Sequence, residues 1–190
     1  GEPGRTVFVP VQGQAVGVAV GFAAGDAVWI ATSDGENGWT SFNVQGSSGG
    51  QGLSGTATDN GMALTFCDGT GVTLATGGAS GPFQAASIGD VGDGSATQEG
   101  ANTSITAGSD GSVSVAWLDA SKGIVFSTGK PDALKAVDTG TSTADGANPS
   151  VAVTDDGSVS YLAWYATTAA DLLVGGYGEF KEVPFAAVSP

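Results

Sequence analysis

The chain has 190 residues, enough for one well-cored domain, and it carries nineteen carboxylates against five basic side chains. The resulting net charge of −14 argues against nucleic acid and against anionic membrane surfaces as partners. Because histidine is absent and Cys67 is the single cysteine, Ser-His-Asp and Cys-His catalysis, histidine- or cysteine-rich metal sites and an internal disulfide are excluded. Cys67 is expected to be a small buried hydrophobe.

Thirty-three glycines predict short strands joined by tight turns. The first predicted strand, RTVFVPVQ, covers residues 5–12. Four units follow, each built around a glycine turn that precedes an apolar strand, and these anchor glycines are Gly25, Gly61, Gly111 and Gly157. A further glycine turn and strand come after each anchor, and PFQAASIG, ALKAVDTG and KEVPFAAV supply a fourth strand in three of the units. Asn-Gly at Gly61 and Asp-Gly at Gly111 and Gly157 favour type I′ hairpin turns.

The units are predicted at about residues 13–50, 51–100, 101–146 and 147–190 of a single β-repeat domain. A lone hairpin cannot bury its apolar face, so successive four-stranded units must stack. A period of roughly 40 to 50 residues with four strands per unit is typical of a β-propeller blade. The first unit lacks an outer strand, and strand 5–12 is predicted as extra, either from an earlier blade of a longer propeller or closing the ring. A β-sandwich or jelly roll is the structural alternative.

The repeats NPSVAVTDDGSVSYLAW and NTSITAGSDGSVSVAW, and the stretch SDGENGWTSF at Ser33 to Phe42, resemble the sialidase-type propeller repeat and its Asp-box. SDGENGWTSF departs from the Asp-box pattern, since Asp34 follows Ser33 directly and Trp39 precedes the threonine. The resemblance implies a propeller fold in which this stretch is a structural turn. It does not imply sialidase activity, because that family holds its substrate with three arginines and Arg5 is the only arginine here.

Carboxylates alone could hydrolyse a glycoside, which keeps a hydrolase as an alternative. Asp68 and Asp119 occupy equivalent repeat positions, and equivalent positions favour a turn role over a catalytic pair that needs unlike environments. No catalytic residue is therefore predicted. Asp90, Asp93 and Glu99, in the glycine-rich loop Gly89 to Gly100, are candidate calcium ligands, with an acidic loop between blades as the alternative reading. No other cofactor is expected.

Trp117 and Trp164 occur at equivalent positions, which predicts packing between blades. Trp39, in a turn predicted to be exposed, is the leading candidate for ligand contact. The other candidate ligand-binding residues are Asp34, Glu36, Tyr165 and Tyr177.

Together these features predict a non-catalytic, extracytoplasmic module of bacterial type, secreted or on the cell surface, that binds a protein or glycan through blade loops. The opening GEPGR is typical of a trimmed or mature chain, so an upstream leader or lipid anchor stays open. Besides the hydrolase, the alternative is a structural fragment that completes a ring as a homo-oligomer.

Overall fold

The computed structural model describes residues 6–11, 17–24, 26–33, 38–59, 61–69, 71–78, 81–92, 102–141, 146–178 and 183–188. In these residues sixteen strands form four antiparallel sheets of four strands each. None of the described elements is a helix of the length and apolarity needed to cross a membrane. The predicted all-β fold of stacked four-stranded blades is confirmed, and the sandwich alternative, which needs two facing sheets, is wrong.

Each sheet is a meander in which the strands follow chain order. The first sheet contains β1 (Thr6–Val11), β2 (Gly17–Ala24), β3 (Ala27–Ser33) and β4 (Trp39–Asn43). The second contains β5 (Gln51–Thr58), β6 (Gly61–Asp68), β7 (Gly71–Gly77) and β8 (Phe83–Asp90). The third contains β9 (Thr103–Ala107), β10 (Val113–Asp119), β11 (Gly123–Gly129) and β12 (Lys135–Val137). The fourth contains β13 (Ala147–Val153), β14 (Val159–Ala166), β15 (Asp171–Gly178) and β16 (Val183–Val188).

The first strands of successive sheets lie beside one another, β1 next to β5, β5 next to β9 and β9 next to β13. This is the arrangement of propeller blades around an axis, with the first strand of each blade innermost. In the described part of the chain no comparable contact joins β1 to β13. The four sheets therefore form an arc whose two end sheets do not pack on each other.

The N-terminal strand corrects one prediction. β1 pairs along its whole length with β2, from Thr6 opposite Phe22 to Val11 opposite Gly17. It is the innermost strand of the first sheet and not an extra strand outside the units. Gly25 consequently precedes the third strand of its sheet, whereas Gly61 begins the second strand of its sheet and Gly111 and Gly157 precede the second strand of theirs. Because glycine turns occur in more than one hairpin of a blade, as at Gly61 and Gly69 in the second sheet, the local pattern does not reveal which hairpin a given turn belongs to.

Apolar side chains fill the space between neighbouring sheets in three separate layers. Trp117 lies in the layer between the second and third sheets, where its indole N–H donates to the Asp90 carbonyl at 3.0 Å. Its ring covers Gly89 so closely that a Cβ at that glycine would lie 2.4 Å from the indole. Trp164 lies in the layer between the third and fourth sheets and is 1% exposed. The predicted packing of both tryptophans between blades is confirmed.

Two buried hydroxyl pairs cross the same boundaries between sheets. The Thr65 and Thr103 hydroxyls lie 2.7 Å apart between the second and third sheets, and Thr103 also donates to the Gly52 carbonyl. The Ser114 and Ser160 hydroxyls lie 2.7 Å apart between the third and fourth sheets. A buried hydroxyl without a partner is costly, so these pairs align each sheet with the next.

The repeated turns differ from the predicted type I′ geometry. Gly111 and Gly157 have the expected positive φ, at 78° and 75°, but Asp110 and Asp156 do not share it. A turn in which only the last residue is left-handed is typical of the longer hairpin loops. The aspartates stabilise these loops through side-chain hydrogen bonds, since Asp110 Oδ1 accepts the Ser112 N–H at 2.9 Å and Asp156 Oδ1 accepts the Ser158 N–H at 3.0 Å.

Candidate functional site

The turns between the first and second strands of the last three sheets meet at one end of the arc and enclose a cavity. Its volume is about 320 Å³. The residues two positions before the anchor glycines, Asp59, Ser109 and Asp155, all line it. The other lining residues come from the adjoining ends of β5, β9 and β13 and are Ala57, Thr58, Thr106, Ala107, Gly108, Val153 and Thr154. Three successive blades thus contribute hydroxyls and carboxylates to one opening.

The two turns from the third and fourth sheets are fixed against each other. The Ser109 hydroxyl donates to the backbone carbonyl of Asp155. A Cβ at Gly108 would lie 2.8 Å from the Cα of Gly157, so the two backbones touch at this point. Gly157 itself lies against the Asp110 carboxylate. This side of the cavity is therefore formed by packed backbone.

A second cavity of about 400 Å³ adjoins the first between the second and third sheets. Thr58 and Asp59 line both cavities, which places Asp59 where they meet. Met62 and Pro131 add apolar surface, and the remaining lining residues are Thr76, Gly77, Gly78 and Gly111. A ligand in this region would meet a carboxylate and hydroxyls beside a small apolar patch.

The aspartates of the repeated turns are bound to their own loops. Hydrogen bonds from the Thr154 hydroxyl and from the Ser158 backbone and hydroxyl lower the pKa of Asp156 to about 2. The Ser112 hydroxyl and N–H lower the pKa of Asp110. Neither residue lines the cavities, so the repeated aspartates hold the turns while the residues before them, Ser109 and Asp155, line the first cavity.

Asp68 and Asp119, the carboxylates at equivalent repeat positions, also have structural partners. Asp68 accepts a hydrogen bond from the Thr73 hydroxyl at 2.9 Å. Asp119 is 1% exposed and accepts the Ser121 N–H at 2.8 Å and the Lys122 ammonium at 3.1 Å. Burial raises the pKa of Asp119, but the hydrogen bonds from Ser121 and Lys122 outweigh it and leave the pKa below its ordinary value. These contacts support the predicted turn role.

Replacing Asp119 with asparagine is expected to lower the free energy of unfolding at pH 7 by about 1 to 2 kcal/mol, because a buried charge-assisted hydrogen-bond set is lost. Lys122 is 66% exposed, so the ion pair itself contributes little. The folded-state pKa is lowered, so the ionised carboxylate stabilises the fold above about pH 4, and this contribution disappears as the pH falls through the folded pKa. Urea unfolding at pH 7 and pH 3 measures both effects. Equal destabilisation at the two pH values would contradict this account, and Asp26→Asn, at an exposed turn, is the control.

The predicted ligand-binding residues lie at separate places. Trp39 is 59% exposed on β4, an outer strand of the first sheet, as expected. Tyr165 is 44% exposed on β14 in the fourth sheet. Tyr177 packs its ring on Phe126, with centroids 5.7 Å apart, and donates its hydroxyl to the Asp138 carbonyl. Asp34 and Glu36 lie outside the described residues.

The calcium prediction stays a prediction. Asp90 is exposed at the end of β8, while Asp93 and Glu99 lie outside the described residues. Within the described ranges no three acidic or cysteine side chains are grouped as a metal site would require. Cys67 is buried, as expected, and burial with the nearby charge of Asp68 raises the pKa of its thiol to about 11.

The cavity residues Asp59, Ser109 and Asp155 were not predicted as a site. The signal for them was present in the repeat, because all three precede an anchor glycine by two positions. Stacked blades bring equivalent turns to the same end of a propeller. Comparing the residue two positions before each anchor glycine therefore identifies side chains that line the opening.

The sheets and their stacking define the chain as a propeller-type β protein, and solved structures share this arrangement. The chain is similar to three structures of the fucose-specific lectin of Aleuria aurantia: a variant bound to Fucα1-6GlcNAc (TM-score 0.63, 12% identity), a variant bound to α-methyl-L-fucoside (0.62, 11%) and a mercury derivative (0.61, 11%). Each comparison covers 98% of this chain and 62% of the lectin chain. The likeness shows the fold, and this chain spans less than two thirds of the lectin's length.

No protein-family model and no curated protein sequence matches the chain. The propeller class is thus confirmed by structure, while the sialidase-type resemblance of the repeat stays a prediction.

Proposed function

We propose that the protein is a non-catalytic, extracytoplasmic module that binds neutral glycans at the cavity between the blade turns. One observation carries the proposal: Asp59, Ser109 and Asp155, from three successive sheets, line a single opening of about 320 Å³. The fold it shares with a fucose-specific lectin supports the same class of ligand.

The chemistry of the opening favours sugars without charge. Sugar hydroxyls donate hydrogen bonds, and the carboxylates of Asp59 and Asp155 with the hydroxyls of Ser109 and Thr154 can accept them. Charge-assisted hydrogen bonds of this kind are the stronger ones. A sialylated or phosphorylated glycan would bring a negative charge to an acidic surface of a chain with net charge −14. Neutral glycans, fucosides among them, are therefore the expected ligands.

A glycan array followed by calorimetry tests the proposal. Neutral oligosaccharides, including α-L-fucosides, are expected to bind and their sialylated counterparts to bind weakly or not at all. Asp59→Ala and Asp155→Ala are each expected to weaken binding about tenfold or more, because each removes a charged acceptor. Asp171→Ala is the matched control, since Asp171 begins β15 at the other end of the fourth sheet. Binding that neither cavity variant changes would refute this site.

We propose Trp39 as a second residue that contacts the glycan. Its ring is exposed on β4, away from the sheets that line the cavity, and exposed aromatic rings stack on sugars. Trp39→Ala in the same calorimetry separates the two positions: unchanged affinity would remove Trp39 from the site.

A carboxylate-dependent glycoside hydrolase is the second candidate, favoured by the presence of Asp59 and Asp155 on one cavity. Hydrolysis would need the two carboxylates within about 5 to 10 Å across the glycosidic bond. Incubating the bound glycans with the protein and measuring reducing ends distinguishes the candidates. Glycans recovered intact favour the binding module, and release that Asp59→Ala abolishes favours the hydrolase.

A further inference from the structure

Each internal boundary of the arc joins two kinds of sheet face. The leading face of a sheet points to the sheet before it, and the trailing face points to the sheet after it. In the third sheet Val115 and Trp117 belong to the leading face, which packs on the second sheet, and Ser114 and Ala116 belong to the trailing face, which packs on the fourth. All four of these side chains are buried because both faces of the third sheet are covered.

The fourth sheet has a covered leading face and an open trailing face. On β14, Leu162 and Trp164 are buried, while Tyr161 and Tyr165 alternate with them and are 45% and 44% exposed. Leu172, opposite Tyr165 on β15, is 45% exposed. Tyr161 lies over Gly176, where a Cβ would be 3.2 Å from the ring, so the face is flat there. Together with Trp39, these three residues are all the large apolar side chains recorded as exposed in the described part of the chain.

The open trailing face also carries a serine at the position where other sheets accept a backbone hydrogen bond from the next sheet. Ser54 Oγ of the second sheet accepts the Ile105 N–H of the third, at 3.3 Å. Ser104 Oγ of the third sheet accepts the Val151 N–H of the fourth, at 3.1 Å. Ser150 is the equivalent residue of the fourth sheet, because Ser104 pairs with Ala116 and Ser150 pairs with Ala163 in the same register. Ser150 is exposed, and no described residue hydrogen-bonds to its hydroxyl.

The first sheet presents the opposite face. Val28 and Ile30 of β3 are fully buried against the second sheet. The alternating residues Trp29 and Ala31, with Phe22 and Val20 opposite them on β2, form its leading face and are only half-buried. Trp39, Ser41 and Asn43 continue that face on β4 and are exposed, so a copy that packs on this face would also cover Trp39. Neither this face nor the open trailing face includes a charged residue among those described, in a chain with net charge −14.

We propose that the open trailing face, Tyr161, Tyr165 and Leu172, packs on the leading face of a second copy of this chain, with Ser150 accepting a backbone N–H from that copy's first strand. The contact repeats what the internal boundaries already show: an apolar layer at all three, with a serine acceptor beside the innermost strands at the second and third. One chain carries both halves, and its own two halves do not meet because β1 and β13 are apart. Such a head-to-tail contact is heterologous, so copies join in a ring or in a longer series.

Light scattering after size exclusion, without glycan, tests the contact independently of the proposed function. The chain is expected to show a mass of two or more copies that grows with concentration. Leu172→Arg on the trailing face and Ser41→Arg on the leading face are expected to be monomeric; both replace exposed residues, so the fold should persist. Ala136→Arg, exposed on β12, adds the same charge away from both faces and should associate as the unmodified chain does.

Mixing the two face variants gives the sharpest result. Leu172→Arg keeps an intact leading face and Ser41→Arg keeps an intact trailing face, so an equal mixture is expected to form dimers of one copy of each and nothing larger. A chain that is monomeric at every concentration, association that survives both variants, or a mixture that stays monomeric would each overturn the proposal.

Discussion

Gly61→Ala is expected to destabilise the protein by about 3 kcal/mol or more. Gly61 has φ of 147°, and a Cβ there would lie 2.1 Å from the Gly77 carbonyl oxygen and 2.6 Å from the Gly78 Cα. Both atoms belong to backbone, so relief requires moving β7 away from β6 and disturbing the apolar layers on both sides of the second sheet. Overpacking and an unfavourable φ add here. The midpoint of urea unfolding, followed by tryptophan fluorescence, measures the loss.

Gly69→Ala separates the two contributions to that loss. Gly69 also has positive φ, at 64°, but no atom lies within 4 Å of its added Cβ. Gly69→Ala is expected to lower the free energy of unfolding by about 1 to 2 kcal/mol, the penalty for a left-handed φ alone. If the two variants were equally stable, the close approach of β6 and β7 at Gly61 would be refuted.

Trp164→Ala is expected to lower the free energy of unfolding by about 3 to 5 kcal/mol, the usual range for removing a large buried aromatic side chain. The cavity would open between the third and fourth sheets, where Trp164 packs with Ile124, Phe126 and Leu162. Amide exchange in β14 is therefore expected to rise more than in β6, whose apolar layers are unchanged.

Trp39→Ala is the matched control for this substitution, because the same side chain is removed from a position that is 59% exposed. Its effect is expected to stay within about 0.5 kcal/mol. A loss for Trp164→Ala no larger than that for Trp39→Ala would mean that the third and fourth sheets are not joined through this side chain.

Local chemistry made most of the fold predictable. The turns that contain Gly61, Gly111 and Gly157, and the alternating strands that follow, result from backbone preferences that act over a few residues. The position of β1 does not, because strand pairing with β2 and stacking on β5 are long-range contacts. The local sequence pattern of a strand at residues 6–11 is the same whether the strand is the first or the last of a blade. Only the packing of whole sheets distinguishes these two positions.

The site was less predictable for a related reason. An exposed aromatic such as Trp39 is visible in a single stretch of sequence, and its exposure is confirmed. Asp59, Ser109 and Asp155 are distant in the chain and unremarkable one at a time. They become a site only because three turns end at the same side of the arc. That side is determined by the stacking direction, which local patterns do not encode.

The two hydroxyl pairs also determine the order in which such similar blades can assemble. If the fourth sheet packed on the second, Thr65 would face Pro149, the counterpart of Thr103, and Ser160 would face Ala63, the counterpart of Ser114. Each misplaced hydroxyl would be buried without a partner at a cost of about 1 to 3 kcal/mol. The two DGSVS hairpins have nearly the same sequence but are therefore not interchangeable. The chain can repeat a motif without exchanging its copies during folding.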